Sequence, residues 1–529
     1  MCRRSVTDKI QGGVSALIKV LLHTFFDRDR HDISTAGILL TLHDGSEVRL
    51  FVTFGLLLAD EAALHSAYQC KGSSGLKPCA LCQNIFDGKS VRGIVERDTR
   101  DWARYHTCCN PKEFVLHTPE SITAILTKLA GAIHTMSATK FGELTTRLGF
   151  NFVENSLLLD PVMRSLVDPS EHLMYDWMHV YYVNGVFNTH VGQMMVALKP
   201  HGITYDTLHT YLSNWHWPSG VGTLTGRETC CSKRAKSSME SGSFKCTASE
   251  GLSLYPVFAH FVQQSVMRSS SDDAKAHGQS FLDLTTFLEL VSSCARGVVT
   301  PEQLEKAVVQ HVSSFKALYG VGPMIIKFHY SLHFPLFLHR WGYLPSCFTL
   351  ERKHRVPKRY ANQISNTSHT WEEGVLRELT GHHIFELRST PDRFSITASL
   401  VDGKVPSKRM HGLLTDIFQP APGDALQTSR VARIDQWEKC RVGDMVTVRE
   451  EGGDVVGQVR WHAAVVGEAG VTTFTCVSRS TLISRGPRST TWQRSEEMSV
   501  HMTSELRYTL TWSESRGVIT ALMRNTIAQ

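Results

Sequence analysis

Cys79-Ala-Leu-Cys82, directly after Lys77-Pro78, constrains this chain more than any other stretch. Two cysteines at that spacing grip one Zn²⁺ from a single turn, and a structural zinc draws two further ligands from elsewhere in the chain. A redox role is the weaker reading, because no thioredoxin-like βαβ pattern surrounds the motif. A plain pair of thiols is the third. The best second ligand pair is Asp176-Trp-Met-His179, whose i, i+3 spacing puts a carboxylate and an imidazole on one helix face. An amphipathic helix with two polar positions explains the same letters. His329 and His333, at i, i+4, have metal-binding spacing too, or are packed and hydrogen-bonded on a partly apolar helix.

A length of 529 residues implies two to four domains at roughly 100–200 residues each. Hydrophobic residues at 42% and charged residues at 20% exclude disordered, collagenous and disulfide-scaffold classes. No stretch approaches the ~18–20 consecutive apolar residues of a membrane span, and the N-terminus lacks the apolar region of a signal peptide. The expectation is a soluble, intracellular protein with no membrane partner. Thirteen cysteines, an odd and sparse set, fit a reducing compartment. A net charge of +6 permits a basic face without requiring one.

The first hundred residues read as α/β. Val14 to Phe26 is an apolar helix, and GILLTL and EVRLFVTFG flank a His43-Asp44-Gly45-Ser46 turn as a β-hairpin. The run LLLAD ends in Asp60, and a helical pattern follows. From Thr118 the text becomes helical again, with Thr118 or Ser121 as its cap. Residues 251–345 are dominated by amphipathic helices. Pro420-Ala-Pro-Gly423 reads as a linker, beyond which short strands between glycine turns predict a β-barrel of roughly five strands over about 430–480. Trp461 is expected to be exposed on it. The final forty residues are β-like and Ser/Thr-rich, with no clear core signal.

Asp60 is either an N-cap or a Mg²⁺ ligand of the kind that two-metal phosphoryl transfer uses. Glu250 is either a first-turn acid or a third such carboxylate. Lys233, Arg234 and Lys236 form one basic knot. Arg352, Lys353, Arg355, Lys358 and Arg359 form a second, suited to phosphate contacts, to a solvated helix face or to nuclear import.

An aspartate after an apolar strand, a Lys-Pro-Cys-x-x-Cys knuckle, Asp-x-x-His and a late glutamate, in that order, resemble the CACTA (En/Spm)-like and Plavaka-like DDE transposases. The stretch from Lys327 through His329, His333 and Pro335 to Glu351-Arg-Lys-His354 resembles the text that follows the catalytic residues in that family. The resemblance spans about residues 40–390. It implies an α/β chain with a ribonuclease-H-like core, Asp60 as the second catalytic carboxylate and Glu250 as the third, with Glu351 as the fallback. Mg²⁺ or Mn²⁺ would sit at the carboxylates, and Zn²⁺ at a knuckle of Cys79, Cys82, Asp176 and His179. The partner would be double-stranded DNA at transposon ends, in the nucleus, with a homo-oligomer compatible.

No strand carrying a first catalytic aspartate precedes the hairpin, so the core is expected to be N-terminally incomplete. The expected function is a transposase-derived DNA-binding protein, ancestrally a metal-dependent strand-cleavage and transfer enzyme. The alternative is a catalytically inactive nuclear DNA- or chromatin-binding protein. The expected domains are the core at 1–250, a helical insertion at 251–345, a basic helical region at 346–419 and a β-rich domain at 420–529. That last domain carries an SH3- or Tudor-like barrel whose ligand the sequence leaves open.

Overall fold

Side-chain caps set where several helices of this chain begin. The computed structural model describes residues 7, 9–27, 31–42, 44–87, 103–104, 108–221, 230–364, 371–389, 398–434, 438–451, 453–468, 470–486 and 488–522. In chain order, helix α1 is Gly13–Phe26, and strands β1 (Ile38–Thr41) and β2 (Glu47–Leu50) form the hairpin, with the Asp44 carboxylate accepting the Ser46 amide in the turn. Strand β3 (Leu57–Ala59) runs into helix α2 (Glu61–Tyr68), which Asp60 caps. Helix α3 (Pro119–Ile133) opens with a reciprocal box in which Thr118 is the cap and Ser121 answers it. Strand β4 (Leu173–Tyr175) leads into helix α4 (Trp177–Tyr182), capped by Asp176.

Helices α5 (Ser232–Ser241), α6 (Ala248–Phe261), α7 (Ile326–Ser331), α8 (Phe334–Trp341) and α9 (Cys347–Gln363) follow. Strands β5 (Met445–Glu450), β6 (Gly453–Gly467), β7 (Gly470–Arg485), β8 (Ser489–Met502), β9 (Leu506–Ser515) and β10 (Val518–Leu522) close the chain. The fold is mixed α/β. Among the described residues, no helix is long and apolar enough to cross a membrane.

The chain divides into two compact units, Met1–His190 with Ser293–Thr380, and Val191–Ser292 with Gly381–Gln529. These boundaries differ from those expected at 250, 345 and 419. The reason lies in the second unit, where the 191–292 segment joins the β-rich region. Trp215–His216 pairs with β9, Ser219 bonds the Asp444 carboxylate, and Arg488 reaches Thr285 and Glu289.

In the first unit, β3 and β4 pair in parallel with Ala59 opposite Tyr175, so Asp60 and Asp176 follow neighbouring carboxyl ends of one small sheet. Each aspartate then starts a helix. Cys70, Leu64, Tyr68, Met174 and Tyr175 are buried around this pair.

The second unit holds a closed barrel of six antiparallel strands, ordered β6-β5-β9-β10-β8-β7 with β7 returning to β6. The barrel therefore extends from Met445 to Leu522, beyond the span and strand number expected from the sequence. The last forty residues supply much of its interior: Trp492, Leu506, Leu510, Trp512 and Ile519 are buried. Closure brings β6 and β7 close at Gly457, where a Cβ would stand 2.9 Å from the Val477 Cβ. Trp461 is half-buried against Phe418 of helix Lys408–Phe418 rather than exposed.

Candidate metal centre

Two segments far apart in sequence build the centre. The Cys79–Cys82 loop is held open by strand-like backbone bonds: the Gln83 amide to the Val115 carbonyl at 2.8 Å, and the His117 amide to the Leu81 carbonyl at 2.8 Å. Tyr175, the last residue of β4, accepts the Ala80 amide on its hydroxyl at 3.2 Å and stacks on Tyr330 at 4.0 Å. Tyr330 in turn donates to the Pro78 carbonyl at 3.0 Å. The helical break between α7 and α8 aims His329 and His333 at the loop, under the ring of Phe114.

Cys79, Cys82, His329 and His333 converge there, all four at most 2% exposed. Cys79 Sγ lies 3.4 Å from His333 Nε2, and Cys82 Sγ lies 3.6 Å from His329 Nε2 and 3.5 Å from His333 Nε2. The two Nε2 atoms are 3.1 Å apart. With Zn–S near 2.3 Å and Zn–N near 2.0 Å, the edges of a tetrahedron are about 3.3–3.8 Å. The three sulfur–nitrogen spacings fall within that range, and the nitrogen–nitrogen spacing lies just below it. A Cys₂His₂ set with no open position is a closed structural site, and the donors are those that zinc prefers.

The electrostatics favour the ligating form of Cys79 and His329 but not of Cys82. Burial opposes ionisation of Cys79, yet the hydrogen bond from Cys82 and the two imidazoles bring its thiol well below the ordinary value. Burial, with the neighbouring Cys79, pushes Cys82 well up. Burial also lowers the pKa of His329, holding its imidazole in the neutral form that ligates.

The sequence-derived ligand set is thus regrouped. Cys79 and Cys82 stand in the centre, but His329 and His333 complete it. Asp176 and His179 converge instead with Cys347. The cause is local: Asp176 is the cap of α4 rather than part of its face, and its carboxylate turns toward the start of α9, where Oδ1 accepts the Cys347 amide at 3.0 Å. The sequence marked His329 and His333 by their spacing and by the resemblance of the Lys327–His354 stretch, and gave no signal for Cys347.

The expected carboxylates are engaged otherwise. Asp60 Oδ1 accepts the Ala63 amide at 2.7 Å as an N-cap. Glu250 accepts the Thr247 amide at 2.7 Å in a capping box at the start of α6 and pairs with Arg234 at 3.0 Å. Asp60 belongs to the first unit and Glu250 to the second. Among the described residues, neither is part of a group of three or more His, Cys, Asp or Glu donors, so these carboxylates do not support a Mg²⁺ or Mn²⁺ site.

Of the basic residues, Lys233 and Lys236 on α5 are exposed, while Arg234 is tied to Glu250. Lys358 and Arg359 are exposed on α9. The side chains of Glu351, Arg352, Lys353 and Arg355, on the same helix, lie outside the described residues.

No protein-family model, no curated protein and no solved structure matches this chain.

Proposed function

We propose that this chain is a transposase-derived DNA-binding protein of CACTA- or Plavaka-like ancestry, in which zinc serves the fold. The observation that carries the reading is the Cys79–Cys82–His329–His333 centre. It joins the two stretches on which the resemblance rests, the Cys-x-x-Cys knuckle and the Lys-x-His-x-x-x-His text. The parallel pair β3–β4, with Asp60 and Asp176 following neighbouring carboxyl ends, supports a ribonuclease-H-like origin for the first unit.

Zinc at this centre would supply cross-linking rather than chemistry, since four protein donors leave no position for substrate. DNA is engaged through its phosphates by exposed cations, among them Lys358 and Arg359 on α9 and Lys233 and Lys236 on α5. Strand cleavage by Asp60 with Glu250 is not part of this function, because among the described residues neither carboxylate stands in a group of donors that could hold a metal ion. Such a protein would act in the nucleus.

A second reading keeps catalysis and moves the glutamate to Glu351. The observation that favours it is the Asp176–Cys347 bond, which fixes the start of α9, the helix that carries Glu351, at the carboxyl end of β4.

Fluorescence anisotropy of the full chain on duplex DNA across a salt series separates these readings. The DNA-binding reading expects salt-sensitive binding that survives Asp60→Ala, and no strand cleavage with Mg²⁺ or Mn²⁺. Binding that is absent or insensitive to salt would overturn it. Cleavage abolished by Glu351→Gln but not by Glu250→Gln would establish the second reading.

A further inference from the structure

We infer that Asp176, His179 and Cys347 form a second metal site, independent of the Cys₂His₂ centre, for a zinc-class divalent cation. Their ligand atoms all lie within 4.8 Å of one another. Asp176 is 1% exposed and Cys347 6%, and the His179 side chain is 15% exposed. Asp176 and Cys347 are therefore buried, and His179 is partly exposed.

Several features hold the donors in place. Asp176 Oδ1 accepts the Cys347 amide at 3.0 Å, which fixes the first residue of α9 against the first turn of α4. Lys327 Nζ donates to the carbonyls of His179 and Val183 at 3.0 and 2.7 Å, which anchors the α4 backbone that carries the imidazole. Asp176 Oδ2 and His179 Nδ1 are hydrogen-bonded at 2.5 Å, a contact that a cation taking both atoms would replace.

The donor chemistry selects the ion. A thiolate and an imidazole beside one carboxylate suit zinc or cobalt, whereas Mg²⁺ and Ca²⁺ require oxygen donors. Three protein ligands leave one tetrahedral position for water or an added ligand, the arrangement of reactive rather than structural zinc sites. The site also follows the carboxyl end of β4 in the parallel pair, the end of such sheets at which ligands bind. Tyr175 serves the first centre and the next residue, Asp176, serves the second.

Metal analysis of the purified full chain equilibrated with Zn²⁺ tests this, with folding followed by thermal melting. The wild type is expected to hold about two equivalents, falling to about one in Cys347→Ser and in His179→Gln. Neither variant touches the Cys79 centre. Co²⁺ titration of the unaltered chain gives an independent count, since each site containing a thiolate adds its own sulfur-to-cobalt absorption and the two saturate in turn. One equivalent of zinc in the wild type, or two retained in both variants, would overturn the proposal, as would a single cobalt phase.

Discussion

His333 Nε2 stands 3.4 Å from Cys79 Sγ, a contact between side chains 254 residues apart. A closed zinc site that bridges such a span contributes folding free energy directly, because the unfolded chain offers no preformed set of ligands. Chelation of the purified protein should therefore lower its melting temperature and expose the Tyr175–Tyr330 stack to solvent. A melting curve unchanged by a strong chelator, after metal loss has been verified, would contradict a structural role.

Cys82→Ser leaves one sulfur where the tetrahedron needs two, and removes the hydrogen bond that favours the Cys79 thiolate. It should release about one equivalent of zinc and destabilise the first unit by several kcal/mol, on the order of 3–5. Metal content and a denaturant titration check both.

Glu250→Gln breaks the ion pair to Arg234 and weakens the capping box of α6. The expected cost is about 0.5–2 kcal/mol with DNA affinity unchanged. Loss of a metal-dependent cleavage activity in this variant would restore the catalytic role that the sequence pattern implies.

Acid sensitivity has an identifiable source. His190 Nδ1 and His311 Nε2 are 3.1 Å apart in a fully buried stack, and burial lowers His311 from 6.5 to about 3. Its folded pKa lies below the unfolded one, so the stability it confers is complete above pH 6.5 and is lost as pH falls toward 3. Within that window the slope from one such group is up to about 1.4 kcal/mol per pH unit. His311→Phe should flatten the acid limb of the stability profile by this amount. An unchanged limb would show that His311 titrates normally.

Lys358→Glu with Arg359→Glu should reduce the slope of log affinity against log salt by up to about 2, since each phosphate contact contributes about 0.9. A mobility-shift series on duplex DNA measures it. An unchanged slope would remove α9 from the DNA surface.

Much of this was legible in the sequence wherever chemistry and spacing are local. The hairpin around Asp44, the Thr118 cap and the Cys-x-x-Cys turn each need only a few neighbouring residues. The ligand partners were not legible in the same way. Asp-x-x-His and His-x-x-x-His are both well-spaced pairs, and tertiary packing chose between them. Tyr175 and Tyr330 bring α7 to the cysteine loop, while Asp176, as a cap, points to α9. The barrel was foreseen but drawn too short. Its later strands alternate Ser and Thr with Trp492, Leu510 and Trp512, which masks their apolar face until the sheet closes. Trp492→Ala should accordingly cost about 3–5 kcal/mol and unfold the barrel.

Zinc-edge X-ray absorption on the Cys347→Ser protein, in which only the Cys79 centre remains thiolate-bound, addresses the central claim most directly. The expected shell is two sulfurs at about 2.3 Å and two nitrogens at about 2.0 Å, lost together in the additional variant His333→Ala. A shell of nitrogen and oxygen alone, or one unaltered by His333→Ala, would contradict the assignment.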